Sequence, residues 1–267
     1  MLPISTRGEH GDKFKRTAII LLRIILIVYL GLCVLMFAVQ RRMIYFPTEA
    51  GNRGAASVIW IDRGDARLEI LHRPAESEKA LIYFGGNAED VSYTLPEFEK
   101  AFPDHAIYMM QYRGYGGSTG KPTEEDIHSD ARALYDMVSA KHDEIILVGR
   151  SLGSGVAIRL ALLPEAQRLV LVTPFYSILD IAQRSFPYLP ARLILMDKYE
   201  SWRWAPGVYI PTLIIIAEND EVIPLESTMQ LAEKLIPHIL NVRTIPEAGH
   251  NDLSIFPEYM EAIQTGE

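Results

Sequence analysis

The chain has 267 residues, of which 49% are hydrophobic and 22% charged, enough to bury one full-sized core. Its formal net charge is −8, yet residues 1–46 hold Arg7, Lys13, Lys15, Arg16, Arg23, Arg41 and Arg42 against only Glu9 and Asp12. The rest is strongly acidic, which argues against nucleic acid as a partner, and the single cysteine, Cys33, excludes an internal disulfide and a thiolate metal cluster.

Thr17–Val39, TAIILLRIILIVYLGLCVLMFAV, is apolar on every side except at Arg23. As a helix these 23 residues reach about 34 Å, enough to cross a hydrocarbon core of about 30 Å. Arg23 lies near the N-terminal end, where it can snorkel to head groups. Tyr45 and Phe46 follow Arg41 and Arg42 as an interfacial belt would. A buried core helix would show a polar face. A cleaved leader would carry a shorter apolar run and a small-x-small cleavage site. Leu32, ahead of Cys33, argues against lipid attachment. We therefore expect residues 1–16 to form a cytoplasmic tail, 17–39 a retained single-pass anchor and 40–267 a catalytic domain. Basic residues flank both ends of the span. Their balance favours a cytoplasmic N-terminus and a body on the far side.

In the body, Ser57–Ile61 and Arg67–His72 read as a pair of early strands. Ala80–Phe84, Ala106–Gln111, Glu144–Val148, Arg168–Val172 and Thr212–Ala217 read as strands buried on both faces, and Val242–Ile245 as a short late one. Thr123–Ala140 has helical spacing through Ile127, Ala131, Leu134 and Val138. Thr123 can cap it, and Glu124, Glu125 and Asp126 suit its first turn. Leu152–Leu162, Leu225–Leu235 and Ile255–Ile263 are further helices. This alternation predicts an α/β fold with a mostly parallel sheet and helices on both faces. Residues 174–211 break the rhythm with Phe175, Tyr176, Phe186, Tyr188, Trp202 and Trp204. They form either a small helical cap over the sheet end or a loop packed for stability.

Gly149-Arg150-Ser151-Leu152-Gly153 matches G-x-S-x-G. The pentapeptide alone is a weak signal, but a buried strand runs directly into it and a helix leaves it. That is the setting of a nucleophile elbow, where side chains at 149 or 153 would collide with neighbouring strand and helix. A serine needs a base, and the base an orienting acid. Asp220 follows the strand TLIIIA, and His250 lies in a late loop before the last helix. Both fall at the carboxyl edge of the sheet. Glu218, Asp252 and Asp180 are rival acids, though none follows a buried strand as directly. His72, His105, His128, His142 and His238 lie within or beside elements and read as structural or solvated. FGGNAEDV follows another strand. It either offers the Asn87 N–H as an oxyanion donor alongside that of Leu152, or is a tight glycine turn. Tyr112–Ser118 reads as a loop held by Arg113 that supports the site rather than as a pocket wall. No H-E-x-x-H, P-loop or Rossmann glycine pattern occurs, so no metal or organic cofactor is expected.

The stretches YFGGNAEDV, QYRGYGGSTGKPTE, VGRSLGSGVA, TPFYSI, IAENDEVIP and EAGHNDL resemble the α/β-hydrolase superfamily. They look most like its single-pass, N-terminally anchored serine hydrolases of the serine-aminopeptidase-like group. The resemblance implies the α/β-hydrolase fold, with Ser151 as nucleophile, His250 as base and Asp220 as acid. One departure is Gly85-Gly86, where such proteins usually begin the oxyanion loop with His-Gly. The expected activity is hydrolysis of a carboxylic ester or thioester with an apolar, lipid-like acyl part through an acyl-enzyme. A peptidase or amidase would use the same residues. A membrane-tethered binding protein of this fold would need no chemistry.

Overall fold

The hydrophobic runs pair into an eight-stranded sheet in the order β1-β2-β4-β3-β5-β6-β7-β8. The strands are β1 (Ser57–Asp62), β2 (Arg67–Arg73), β3 (Lys79–Phe84), β4 (Ala106–Met110), β5 (Glu144–Arg150), β6 (Ala166–Val172), β7 (Thr212–Ala217) and β8 (Leu240–Ile245). The structure is a computed structural model that describes residues 7–54 and 56–267, with residues 7–13 as backbone only. The part of the expected tail in residues 1–6 lies outside the described residues. β1 and β2 pair antiparallel, β2 joins β4 antiparallel, and all later pairs are parallel. β3, β4 and β7 are buried on both faces apart from Lys79, as near-continuous apolar runs require.

The helices are α1 (Arg7–Ile44), α2 (Leu95–Ala101), α3 (Glu124–Ser139), α4 (Leu152–Leu160), α5 (Ile178–Ser185), α6 (Ala191–Ile194), α7 (Leu225–Ala232) and α8 (Pro257–Thr265). One core layer buries Ile127 and Leu134 of α3, Val156 of α4 and Leu231 of α7 against the sheet. The other buries Phe98 of α2 and Tyr259 and Ile263 of α8 on the opposite face. Thr123 caps α3 by accepting the Asp126 N–H at 3.1 Å. From β3 the chain steps to β4 on one side and then crosses to β5 on the other. That reversal opens a crevice at the carboxyl ends of β3 and β5, where ligands bind in open α/β sheets.

Two differences from the sequence reading concern ends and connections. α1 is one helix through Ile44, continuing past the expected span 17–39, and Ile44 and Tyr45 are buried in the body. Phe14–Ile44 is long and apolar enough to cross a membrane. Residues 174–211 carry α5, α6 and two 3-10 turns, and this insertion packs on α1. Gln40 Nε2 donates to the Ile194 carbonyl (2.9 Å), Gln40 Oε1 accepts the Met196 N–H (2.6 Å), and Arg41 pairs with Asp197 (3.0 Å).

Arg113 pins the loop after β4. Its Nε and Nη2 donate to both carboxylate oxygens of Asp130 on α3 at 2.7 and 3.1 Å, and Arg63 reaches the same carboxylate at 3.0 Å. The Asp130 side chain is fully buried and that of Arg113 is 5% exposed. Asp130→Ala would strand a buried guanidinium. We expect a loss of about 3 kcal/mol by denaturant unfolding in detergent, the low end for a broken buried pair, because Asp65 still reaches Arg113 at 2.7 Å.

Candidate active site

β5 ends at Arg150, and the chain turns sharply into α4 at Ser151. Its backbone, φ 49° and ψ −115°, is a conformation L-residues rarely adopt. Two close approaches allow the turn. A Cβ at Gly149 would overlap the main-chain carbonyl of Gly153, and a Cβ at Gly153 would overlap the carbonyl of Phe84. The turn is held by the Ser151 N–H on the Val172 carbonyl (2.9 Å) and by Ser154, whose N–H and hydroxyl both donate to the Ser151 carbonyl (2.9 and 2.6 Å). The result stands Ser151 Oγ at the carboxyl edge of the sheet.

The structure brings Ser151, His250 and Asp220 into one chain of hydrogen bonds. His250 Nε2 lies 3.0 Å from Ser151 Oγ, and His250 Nδ1 lies 2.8 and 3.0 Å from Asp220 Oδ2 and Oδ1. Beside a carboxylate, Nδ1 carries the proton and leaves the Nε2 lone pair facing Oγ. The side chains of His250 and Asp220 are 5% and 8% exposed, so little water competes for these bonds. Asp220 is itself held, since Oδ1 accepts the N–H groups of Val222 (2.9 Å) and Ile223 (2.7 Å). The rival acids are engaged elsewhere. Glu218 accepts the Glu247 N–H, Asp252 the Gly249 N–H, and Asp180 pairs with Arg184. His142 is a buried structural histidine, bonded to the Tyr108 hydroxyl and the Ser77 carbonyl.

Asn87 and Leu152 both line the apolar cavity at Ser151. Among the described residues neither N–H donates to another protein group. The Gly85–Asn87 loop is firmly held despite its glycines. The Tyr112 hydroxyl donates to the Gly85 carbonyl (2.8 Å) and the Tyr115 hydroxyl to the Asn87 carbonyl (2.6 Å). The tyrosines of the Tyr112–Ser118 loop are thus struts for its neighbour.

A second brace had no counterpart in the sequence reading. Glu89 Oε2 accepts the Gly86 N–H (2.8 Å) and pairs with Arg150 Nη1 (3.0 Å), while Oε1 accepts the hydroxyls of Tyr83 (2.8 Å) and Thr94 (2.7 Å). Arg150 Nη2 then donates to the His250 carbonyl (3.0 Å). One guanidinium therefore ties the Ser151 turn, the Gly85–Asn87 loop and the His250 loop together. Burial, and then the Glu89 carboxylate, hold the Tyr83 phenol well above its usual pKa, so it remains a donor. Nothing local marks Arg150 in the sequence, because its partners lie 61 and 100 residues away.

Ser151 sits between two unlike cavities. One, of about 320 Å³, is polar and includes Glu89, Tyr93, Glu97, Arg150 and Asn251. The other, of about 170 Å³, is apolar and includes Ile44, Phe175, Ile181 and Val222. Among the described residues no group of three His, Cys, Asp or Glu side chains could hold a metal ion.

Comparison with known proteins agrees with this architecture. A family profile described as serine aminopeptidase, S33, matches residues 97–204, a stretch that holds Ser151 but ends before Asp220 and His250. An uncharacterized protein of Mycobacterium tuberculosis, Rv2307c, is 32% identical over 251 residues, covering 86% of each chain. Protein bem46 of Schizosaccharomyces pombe is 27% identical, covering 74% of this chain and 70% of its own. Among solved structures, the Pyrococcus furiosus esterase Pf2001 superposes with a TM-score of 0.65 at 19% identity, over 82% of this chain and 94% of its own. Alpha/beta hydrolase domain-containing protein 10 from mouse gives a TM-score of 0.61 at 16% identity, over 79% and 96%. By its fold, by the profile match and by 30% identity, over 71% of this chain and 57% of the relative, to alpha/beta hydrolase domain-containing protein aho-3 of Caenorhabditis elegans, this chain is a member of the α/β-hydrolase superfamily.

Proposed function

We propose that the chain is a membrane-anchored serine hydrolase that cleaves a carboxylic ester or thioester through an acyl-enzyme. The observation that carries the reading is the continuous relay from Asp220 through both nitrogens of His250 to Ser151 Oγ. Oγ attacks the acyl carbonyl as its proton passes to Nε2. The carbonyl oxygen becomes negative and is met by the N–H groups of Asn87 and Leu152. The C–O or C–S bond then breaks, and Nε2 returns the proton to the leaving oxygen or sulfur. In the second half, Nε2 takes a proton from water, hydroxide attacks the acyl-enzyme, and Oγ recovers its proton as the acid departs. Asp220 stays ionised and stabilises the imidazolium that forms in each half. α1 serves as the anchor, with the N-terminus cytoplasmic and the body on the other side of the membrane.

A peptidase would use the same residues, and the S33 description of the matching profile favours keeping that second reading. Matched ester, thioester and aminoacyl-amide substrates separate the two. We expect kcat/KM for ester and thioester to exceed that for the amide by at least 10²-fold, and the reverse order overturns the ester reading. A fluorophosphonate probe tests chemistry of either kind. No labelling of folded protein would favour a binding protein of this fold.

The brace at Glu89 supplies a further prediction. Glu89→Gln leaves a shape-matched side chain but removes the charge that holds Arg150 and the Gly86 N–H. We expect kcat to fall by about 10- to 100-fold, less than the roughly 10²–10³ for losing an oxyanion donor outright. KM for a small ester should change by less than threefold. An unchanged kcat would remove this brace from the account.

A further inference from the structure

The apolar cavity at Ser151 is walled on one side by Met43 and Ile44 of α1. A second apolar cavity, of about 160 Å³, lies between α1 and the α5–α6 insertion, with Met36, Phe186, Leu189 and Leu195 among its walls. Met43, Ile44, Ile178 and Ile181 line both cavities, so the two lie back to back across these four side chains beside the last turns of α1. The outer cavity has two polar residues, Gln40 and Ser185, and Gln40 has its amide committed: Nε2 donates to the Phe37 and Ile194 carbonyls and Oε1 accepts the Met196 N–H. The two cavities together lay a largely hydrocarbon wall from Ser151 outward between α1 and the insertion, a groove interrupted only where Met43, Ile44, Ile178 and Ile181 meet.

The outer end points at lipid. Phe14–Ile44 has 31 residues, about 46 Å of helix, while the hydrocarbon core needs only about 30 Å. With the expected span at 17–39, Met36 lies in its last turn and Gln40, Met43 and Ile44 lie at or just past the interface. The insertion reaches back along the same helix, with the Tyr29 hydroxyl donating to the Tyr188 carbonyl at 3.0 Å. Tyr29 lies within the expected span 17–39, so this tip, which exposes Tyr188 (88%) and Leu193 (84%), borders the lipid-facing part of α1.

We propose that this groove is the channel through which a long acyl chain passes from the bilayer to Ser151. The hydrocarbon leaves the membrane between α1 and α5–α6, lies on Met43, Ile44, Ile178 and Ile181, and presents its carbonyl to Oγ. The polar leaving group occupies the opposite cavity. There Glu89, Asp90 and Glu97 outnumber Arg150, which is already paired with Glu89, so an uncharged or cationic leaving group is favoured over a phosphate. The proposal rests on the hydrolase reading above and deepens it to long-chain acyl esters and thioesters drawn from the membrane.

The test uses the full chain in phosphatidylcholine nanodiscs with p-nitrophenyl butyrate, octanoate, laurate and palmitate. We expect kcat/KM to rise at least tenfold from butyrate to laurate. Ala182→Trp, which puts a ring into the outer cavity, should lower the palmitate-to-butyrate ratio of kcat/KM at least tenfold, and Leu189→Trp should do the same if the first variant is poorly folded. A flat chain-length profile in the wild type, or equal loss for all esters in both variants, overturns the groove. Two further readouts keep the readings apart. Short-chain fluorophosphonate labelling reports the triad alone. Cross-linking by a diazirine-bearing palmitate reports the groove alone, and adducts on Met36, Met43, Ile178 or Ile181 support it. Adducts confined to the lipid-facing stretch Ile19–Leu30 overturn it. Groove adducts without fluorophosphonate labelling would uphold the hydrocarbon site and overturn the hydrolase reading.

Discussion

Replacing Ser151 with alanine is expected to lower kcat/KM for a short ester by at least about 10³-fold while the protein remains folded. The size follows from what is removed. In the proposed mechanism no acyl-enzyme forms without Oγ, and only the donors proposed at Asn87 and Leu152 and substrate binding remain, which is the catalysis left when a triad nucleophile is lost. The preserved fold also has a specific reason. Among the described residues, Oγ bonds only to His250, while the turn is held by main-chain groups and by Ser154. Alanine keeps those bonds and the same strained φ, so the unfolding midpoint in detergent should move little. Steady-state kinetics checked by circular dichroism reads both halves of the expectation. A variant retaining a tenth or more of wild-type activity would mean that another group attacks the substrate.

Asp220→Asn is expected to cost nearly as much, on the order of 10³- to 10⁴-fold in kcat, with little change in size or shape. The carboxamide oxygen can still accept the Val222 and Ile223 N–H groups that now reach Oδ1. Its NH₂ then faces His250 Nδ1, and a donor there demands an acceptor on the ring. The imidazole must take the tautomer that protonates Nε2, which points a hydrogen at Oγ where a lone pair is needed. Glu218→Gln and Asp252→Asn provide the contrast. Their carboxylates accept the Glu247 and Gly249 N–H groups, and neither bonds the ring. We expect each to keep kcat within about threefold in the same assay. A loss at Glu218 or Asp252 equal to that at Asp220 would show that the effect is structural.

The sheet was legible where burial leaves a simple signature. Thr212–Ala217 is apolar at every position after its threonine because both faces are covered, and its observed ends match those read from the sequence. α3 was legible because its buried positions repeat every three to four residues and a threonine caps it. α2 was not read, since seven residues beginning Leu-Pro hold too few turns for any period to emerge. The expected span ends at Val39 because the apolar run stops there, whereas the helix α1 goes on to Ile44. The helix continues because Gln40 and Arg41 find partners in the insertion, more than 150 residues away. The site divides in the same way. Ser151, Asp220 and His250 each follow a strand, so the parallel sheet delivers them to one rim. Glu89, Arg150, Tyr112 and Tyr115 act through contacts between loops, and no local pattern announces those. Whether residues 174–211 cap the sheet end was equally invisible, because an aromatic-rich loop and a short helical layer share a composition.

The most direct test is to catch the covalent intermediate. The full chain, mixed with excess p-nitrophenyl laurate and quenched in acid within the first turnovers, should gain the mass of one lauroyl group. Peptide mapping should place that group on Ser151, and Ser151→Ala should stay unmodified. Hydrolysis at an undiminished rate with the acyl group on a different side chain, or persisting in Ser151→Ala, would contradict the account.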